Sequence, residues 1–210
     1  MEVFGFIVGL ACGALIPLLV RWYPPATDPQ RAPPPPLWAC MAAAAVLDAA
    51  LAWRLGRAAR AVPVIVTVPG LLALAWIDAR TYRLPRRLVF HTLAIGAVCA
   101  CVAALAEPPL AQRVVAAAIA AVATSAAIAA LWWLSPRGLG FGDVRLQLLL
   151  GAICGWVSQL AALRCLMWAF LLGGVASLGL LATRKRQRSD VIAFGPFLIS
   201  GALLAILWPR

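Results

Sequence analysis

The chain has 210 residues, 64% of them hydrophobic, with 18 Lys and Arg against seven Asp and Glu and a net charge of +11. Its mean hydropathy is +0.95. A soluble domain is about half apolar, so the composition excludes an ordinary soluble domain and predicts a polytopic membrane protein, with the lipid bilayer as its main partner. The arginines are scattered between apolar runs instead of forming one stripe, which argues against a nucleic-acid partner.

Apolar runs lie near 3–20, 37–53, 62–78, 88–106, 112–134, 144–157, 159–182 and 191–208. Several approach the roughly 20 residues that cross a bilayer as a helix. Their Ala- and Leu-rich, non-alternating pattern favours helices over barrel strands. The expected fold is all-α: a polytopic membrane helical bundle of about eight transmembrane helices, or seven if 144–157 does not cross fully. Residues 1–210 are expected to form one membrane-embedded domain. No basic n-region precedes the first run, and no small-residue cleavage site leads from it into a soluble domain. It is therefore expected to be a retained helix.

The stretch RWYPPATDPQRAPPPP (21–36) is rich in proline and is expected to be an extended connection. The basic loop TRKRQRSD (183–190) should lie against anionic headgroups. With the N-terminus outside, the inner connections hold most of the basic residues, among them Arg80, Arg83, Arg86, Arg87 and Arg145, as the positive-inside rule expects. Arg54, Arg57 and Arg60 crowd one outer loop against that rule, and Arg113 also lies on the outer side.

Cys12, Cys40, Cys99, Cys101, Cys154 and Cys165 all fall inside apolar runs without a C-x-x-C pair. They read as small packing residues, and neither a metal site nor a cofactor is expected. Tryptophans near run ends, such as Trp22, Trp38, Trp76 and Trp208, fit an interfacial belt. His91, the single histidine, lies just inside a helix and reads as an interfacial polar residue.

Acidic residues in or beside membrane spans are costly and point to function. Glu2, Asp28, Glu107 and Asp190 fall in ends or loops, which leaves Asp48, Asp78 and Asp143. Asp78 ends a helix running inward and Asp143 begins one running outward, so both are expected near the cytoplasmic face. Asp48 lies toward the outer end of its helix and reads as structural, with Arg54 a candidate partner. Two carboxylates brought close cannot both ionise and share a proton. The ionised one can take a proton from water while the protonated one polarises a scissile carbonyl. The helix-end dipoles would make Asp143 the base and Asp78 the acid. Gly138, Gly140 and Gly142 are expected to let the backbone bend and a substrate strand approach Asp143. From these residues alone, Asp143 as a helix-anchoring N-cap is an equal reading. A proton-coupled transporter with Asp48, Asp78 and Asp143 as a relay is a rival function.

Three segments sharpen the choice. WIDARTYRLPRRLV (76–89) places Leu84-Pro85 after an aspartate, GFGDVRLQLLLGAICGW (140–156) carries G-x-G-D with Gly151 beyond it, and FGPFLISGALLA (194–205) opens the last run. In this order they resemble the prepilin leader peptidase family, membrane aspartyl proteases of the G-x-G-D kind. The resemblance covers roughly 62–208. It implies a catalytic pair, Asp78 and Asp143, facing the cytoplasm from the inner membrane. It also implies an active-site loop at Gly140 and Gly142 and a site mouth at Gly195 and Pro196. The implied substrate is a prepilin or pseudopilin with a short basic leader, a glycine before the cut and an apolar helix after it. Another G-x-G-D intramembrane protease is the alternative within the enzymes. GALIPLLVRWYP (13–24) keeps the frame of the family's first-helix motif, with Ala14, Pro17 and Trp22 where Ser, Asn and Arg are usual. Bifunctional members follow this helix with a cysteine-paired domain tied to N-methylation. Here the Pro-rich loop 21–36 stands in its place, so N-methylation is not expected. Arg86 is a further departure, standing where Asp or Asn often follows Leu-Pro.

Overall fold

The structure, a computed structural model, describes residues 2–23, 34–56, 58–134, 139–182 and 193–208. Arg57, Gly138, positions 24–33 of the Pro-rich connection and the basic loop 183–190 lie outside them, as do Asp28 and Asp190.

The regular elements among the described residues are helices: α1 (Glu2–Gly13), α2 (Ile16–Trp22), α3 (Leu37–Leu55), α4 (Ala58–Ile65), α5 (Val68–Thr81), α6 (Arg86–Ala106), α7 (Ala111–Leu134), α8 (Phe141–Val157), α9 (Gln159–Ala182) and α10 (Gly195–Leu207), with a 3-10 turn at Pro108–Leu110. Two pairs, α1–α2 and α4–α5, are single rods interrupted near a proline. Pro17 and Pro69 stand in the first turns of α2 and α5, where a missing N–H costs no helical bond. The eight predicted runs thus become eight rods. Six are long and apolar enough to cross a membrane: Glu2–Trp22, Leu37–Leu55, Ala58–Thr81, Arg86–Ala106, Pro108–Leu134 and Gln159–Leu180.

The other two rods are shorter. α8 has 17 residues and α10 has 13, roughly 25 and 20 Å of helix at 1.5 Å per residue. Each falls short of a hydrocarbon core about 30 Å thick. Boundaries shifted where polar residues continue a helix. The third rod starts at Ala58 instead of 62, and the last begins at Gly195 instead of 191, because Pro196 fits its first turn. The first rod also runs through Arg21 and Trp22, into the stretch read as a connection.

Lipid tails are as apolar as leucine, so helices in a membrane gain by close backbone packing. Gly5, Gly9 and Gly13 of α1 lie against α3, where a Cβ on Gly9 would sit 2.5 Å from Ala45 Cα. Gly151 and Gly155 of α8 press on α7 in the same way, which gives Gly151 a packing role. The rod Ala58–Thr81 is central: 72% of its apolar window is buried inside the protein, against 22–33% in the other five long rods. α10 packs against α3, α5, α8 and α9. Apolar side chains such as Val98 and Val102 of α6, Ile119 and Val122 of α7, and Val175 and Leu178 of α9 face outward, as a lipid-facing surface requires. The thiols are free, and Cys154 and Cys165 point at backbone carbonyls of α10, each 3.9 Å away.

Candidate active site

Asp78 lies one turn before the end of α5 and Asp143 in the first turn of α8, and both are buried. The Asp143 carboxylate lies close enough to act electrostatically on Asp78. α10 brings them together, because it packs on both α5 and α8. Its first residue donates the Gly195 N–H to Asp78 Oδ2 at 2.9 Å. A Cβ on Gly195 would stand 2.5 Å from that same oxygen. Pro196 occupies the first turn of α10, where it removes a donor that has no helical acceptor.

Asp143 is not an N-cap. Gly140 holds that position, and Asp143 lies three residues on, with its Oδ2 accepting the Gly140 N–H at 3.1 Å. This is the reaching-back half of a capping box. Neither Gly140 nor Gly142 adopts a backbone conformation that requires glycine, and a Cβ on Gly140 would meet nothing closer than 3.5 Å. Gly140 has φ −84°, which any residue adopts, and among the described residues only Gly56 is a glycine with positive φ. Gly142 packs on Leu84, where a Cβ would come within 3.3 Å of Leu84 Cβ. The Leu-Pro segment and the G-x-G-D turn therefore touch directly. Tyr82, left-handed at φ 54°, turns the chain toward that contact, and Thr81 Oγ1 donates to Ile77 O at 2.8 Å beside it.

The difference in helix ends expected from the sequence does not survive folding. Asp78 sits at the C-terminal end of its own helix but at the N-terminal end of α10, so each carboxylate accepts a backbone N–H at a helix start. Three of the arginines nearby in sequence stack on aromatic rings. Arg80 lies 4.6 Å over the Trp76 ring, Arg145 lies 4.6 Å over Phe141, and Arg86 lies 5.7 Å over Phe90. His91 Nδ1 is 2.7 Å from Tyr23 Oη near the end of α2.

Asp48 is fully buried in α3, and neither of its carboxylate oxygens has a hydrogen-bond partner. The expected pairing with Arg54 is absent among the described residues, and the Asp48 backbone carbonyl lies in the tight α1–α3 contact, where a Cβ on Gly5 would meet it at 2.5 Å. A buried polar group without a partner costs about 1–3 kcal/mol, more when charged. Asp48→Asn keeps the shape without the charge and is expected to raise the thermal unfolding midpoint in detergent. A lowered midpoint would show that the carboxylate holds the fold.

Gln147 escaped the sequence reading. It is fully buried one turn beyond Asp143 on the same helix face, with neither amide atom hydrogen-bonded. The available signal was one polar residue inside the run LQLLLG. Among the described residues, no group of three His, Cys, Asp or Glu side chains could hold a metal.

Helical rods with lipid-facing apolar surfaces define a multi-pass membrane protein, with Asp78 and Asp143 buried on helices that both pack against α10. Residues 65–180 match the model of the type IV leader peptidase family, and the chain belongs to that family. It is similar to a prepilin leader peptidase/N-methyltransferase of Pseudomonas putida, at 30% identity over 169 residues, which is 78% of this chain and 56% of the relative. A protein of the same description from Pseudomonas aeruginosa is 30% identical over 171 residues, 79% of this chain and 56% of the relative. One from Aeromonas salmonicida is 30% identical over 143 residues, 66% and 46% of the two chains. The chain thus spans about half the length of the curated relatives it matches. No solved structure gives a significant match.

Proposed function

We propose that the protein is an aspartyl endopeptidase that removes the leader from prepilin-like or pseudopilin precursors, with Asp78 and Asp143 as its catalytic pair. The observation that carries this is the meeting of two buried aspartates across α10, in a chain whose family is that of type IV leader peptidases. One carboxylate holds the attacking water and takes its proton, and the other, protonated, polarises the scissile carbonyl. The titration belongs to the pair as a unit. The substrate carries a short basic leader, a glycine before the cut and an apolar helix after it. The bias of basic residues toward the connections beside Asp78 and Asp143 supports an active site at the cytoplasmic face of the inner membrane.

The test is co-expression with one such precursor, followed by N-terminal sequencing of the product. A cut directly after the glycine is expected, and an uncut precursor would overturn the proposal. Asp48→Asn is expected to cleave at close to the wild-type rate. A proton relay through all three aspartates would stop in that variant.

Cleavage without methylation is the second part of this reading. The relatives are described as both peptidase and N-methyltransferase. In this chain the connection between the first two rods is Pro-rich and holds no cysteine. Mass spectrometry of a substrate processed by this chain alone is expected to give a free N-terminal amine. A gain of one methyl group that depends on the chain would refute this.

A further inference from the structure

The outer arginines that the positive-inside rule leaves unexplained converge in the fold. Arg54 at the end of α3, Arg60 near the start of α4 and Arg113 near the start of α7 line one cavity of about 180 Å³. Its remaining lining residues include Trp156 and Val157, at the end of α8. Arg113 Nη1 donates to Trp156 O at 3.0 Å and to Val157 O at 2.9 Å, which leaves its Nε–H and Nη2–H groups for another acceptor. The Nε–H of Arg60 is buried without an acceptor. Glu107 lines an adjoining cavity of about 500 Å³ with Arg60 and Arg113 and makes no ion pair with them among the described residues. Three guanidinium groups therefore line one cavity without an ion-paired carboxylate among the described residues.

The second observation is what adjoins them. Trp156 donates its indole N–H to Arg60 O at 2.9 Å and forms a wall shared with an apolar cavity of about 330 Å³ between α4, α6, α7 and α8. That cavity is lined by small and apolar residues such as Pro63, Gly96, Ala118 and Ile153. A cationic pocket beside an apolar groove, with the buried Trp156 between them, has the chemistry of a phospholipid site. Guanidinium forks match phosphate oxygens in pairs, and the acyl chain takes the groove.

We propose that Arg54, Arg60 and Arg113 bind the phosphate of an anionic phospholipid whose acyl chain lies in the groove beside Trp156. The site lies at the far end of α8 from Asp143, roughly 20 Å away along the helix. It neither touches the aspartate pair nor depends on the proposed proteolysis.

The test is native mass spectrometry of the detergent-purified chain titrated with dioleoyl phosphatidylglycerol, dioleoylglycerol or inorganic phosphate. Phosphatidylglycerol is expected to bind one to one, and dioleoylglycerol and inorganic phosphate each at least about tenfold more weakly. Arg54→Gln combined with Arg60→Gln should weaken phosphatidylglycerol binding at least about tenfold. Arg113 stays in place because it caps α8. Ala118 is exposed to the groove, so Ala118→Phe fills the groove without touching the cations, and it should also weaken binding. Circular dichroism checks that each variant is folded, and Ala118→Phe keeps the test decisive if the double variant is not. Wild-type binding by either folded variant overturns the lipid site. Inorganic phosphate as tight as the lipid overturns it as well, leaving an anion pocket with no acyl chain.

Discussion

Asp78→Asn and Asp143→Asn will each slow leader removal by about 100-fold or more, the range expected when a positioned general acid or base is lost, while the chain still accumulates in the membrane. The choice of asparagine follows from the hydrogen bonds. Asp78 Oδ2 accepts the Gly195 N–H and Asp143 Oδ2 accepts the Gly140 N–H. An amide keeps one carbonyl oxygen for that donor, so the helix starts at Gly195 and Gly140 stay satisfied and only the carboxyl group's ability to ionise and exchange a proton is lost. Alanine would remove the acceptor as well. The buried Gly195 N–H would then stand unpaired at about 1–3 kcal/mol, and loss of activity could be confused with loss of fold. Cleavage rates and membrane levels are measured together for both asparagine variants. Wild-type processing by Asp143→Asn would remove that residue from the mechanism.

Much of the architecture was legible because one quantity, the length of an apolar run, decides whether a helix can span a membrane. Eight runs became eight rods, and 144–157, the one in doubt, became the 17-residue α8. The candidate residues were legible because ionisable groups are rare in such a chain: of seven acids, setting aside those at chain or run ends and in loops left Asp48, Asp78 and Asp143. What the sequence hid was who faces whom. Asp78 and Gly195 are 117 positions apart, and no local pattern reports that α10 starts at the Asp78 carboxylate. The dipole reasoning for Asp78 used its own helix and missed the one packed against it. The arginines of the outer loop looked like an imperfect charge bias until Arg113, supplied by α7, joined Arg54 and Arg60. Asp48 looked pairable because Arg54 lies near the same helix end, yet its carboxylate is buried without a hydrogen-bond partner.

Gly195→Ala will lower the cleavage rate by roughly 100-fold, the loss that about 1 Å of misplacement at a reacting group can cause. The reason is steric. A Cβ at position 195 would lie 2.5 Å from Asp78 Oδ2, 3.1 Å from Cγ and 3.4 Å from Cβ. Either α10 moves or Asp78 turns away. α10 has little room to move, because Gly201 holds it against α9, where a Cβ would meet Cys165 O at 2.6 Å and Ala169 N at 2.7 Å. Asp78 therefore rotates, gives up the Gly195 N–H and leaves its place beside Asp143. The fold loses about 1–3 kcal/mol from the unpaired N–H. Gly142→Ala is the control. Its Cβ would meet the Leu84 side chain at 3.3 Å, a contact relieved by a shift of a few tenths of an ångström, so its effect is expected to be several-fold smaller. A double-mutant cycle isolates the contact. In the Asp78→Ala background the carboxylate is gone, so Gly195→Ala should cost almost no further stability. Thermal unfolding in detergent reads the stability arm, and single-turnover cleavage reads the activity arm. If Gly195→Ala destabilises equally with and without the Asp78 carboxylate, the glycine serves helix packing alone and the proposed link between α10 and the site is wrong.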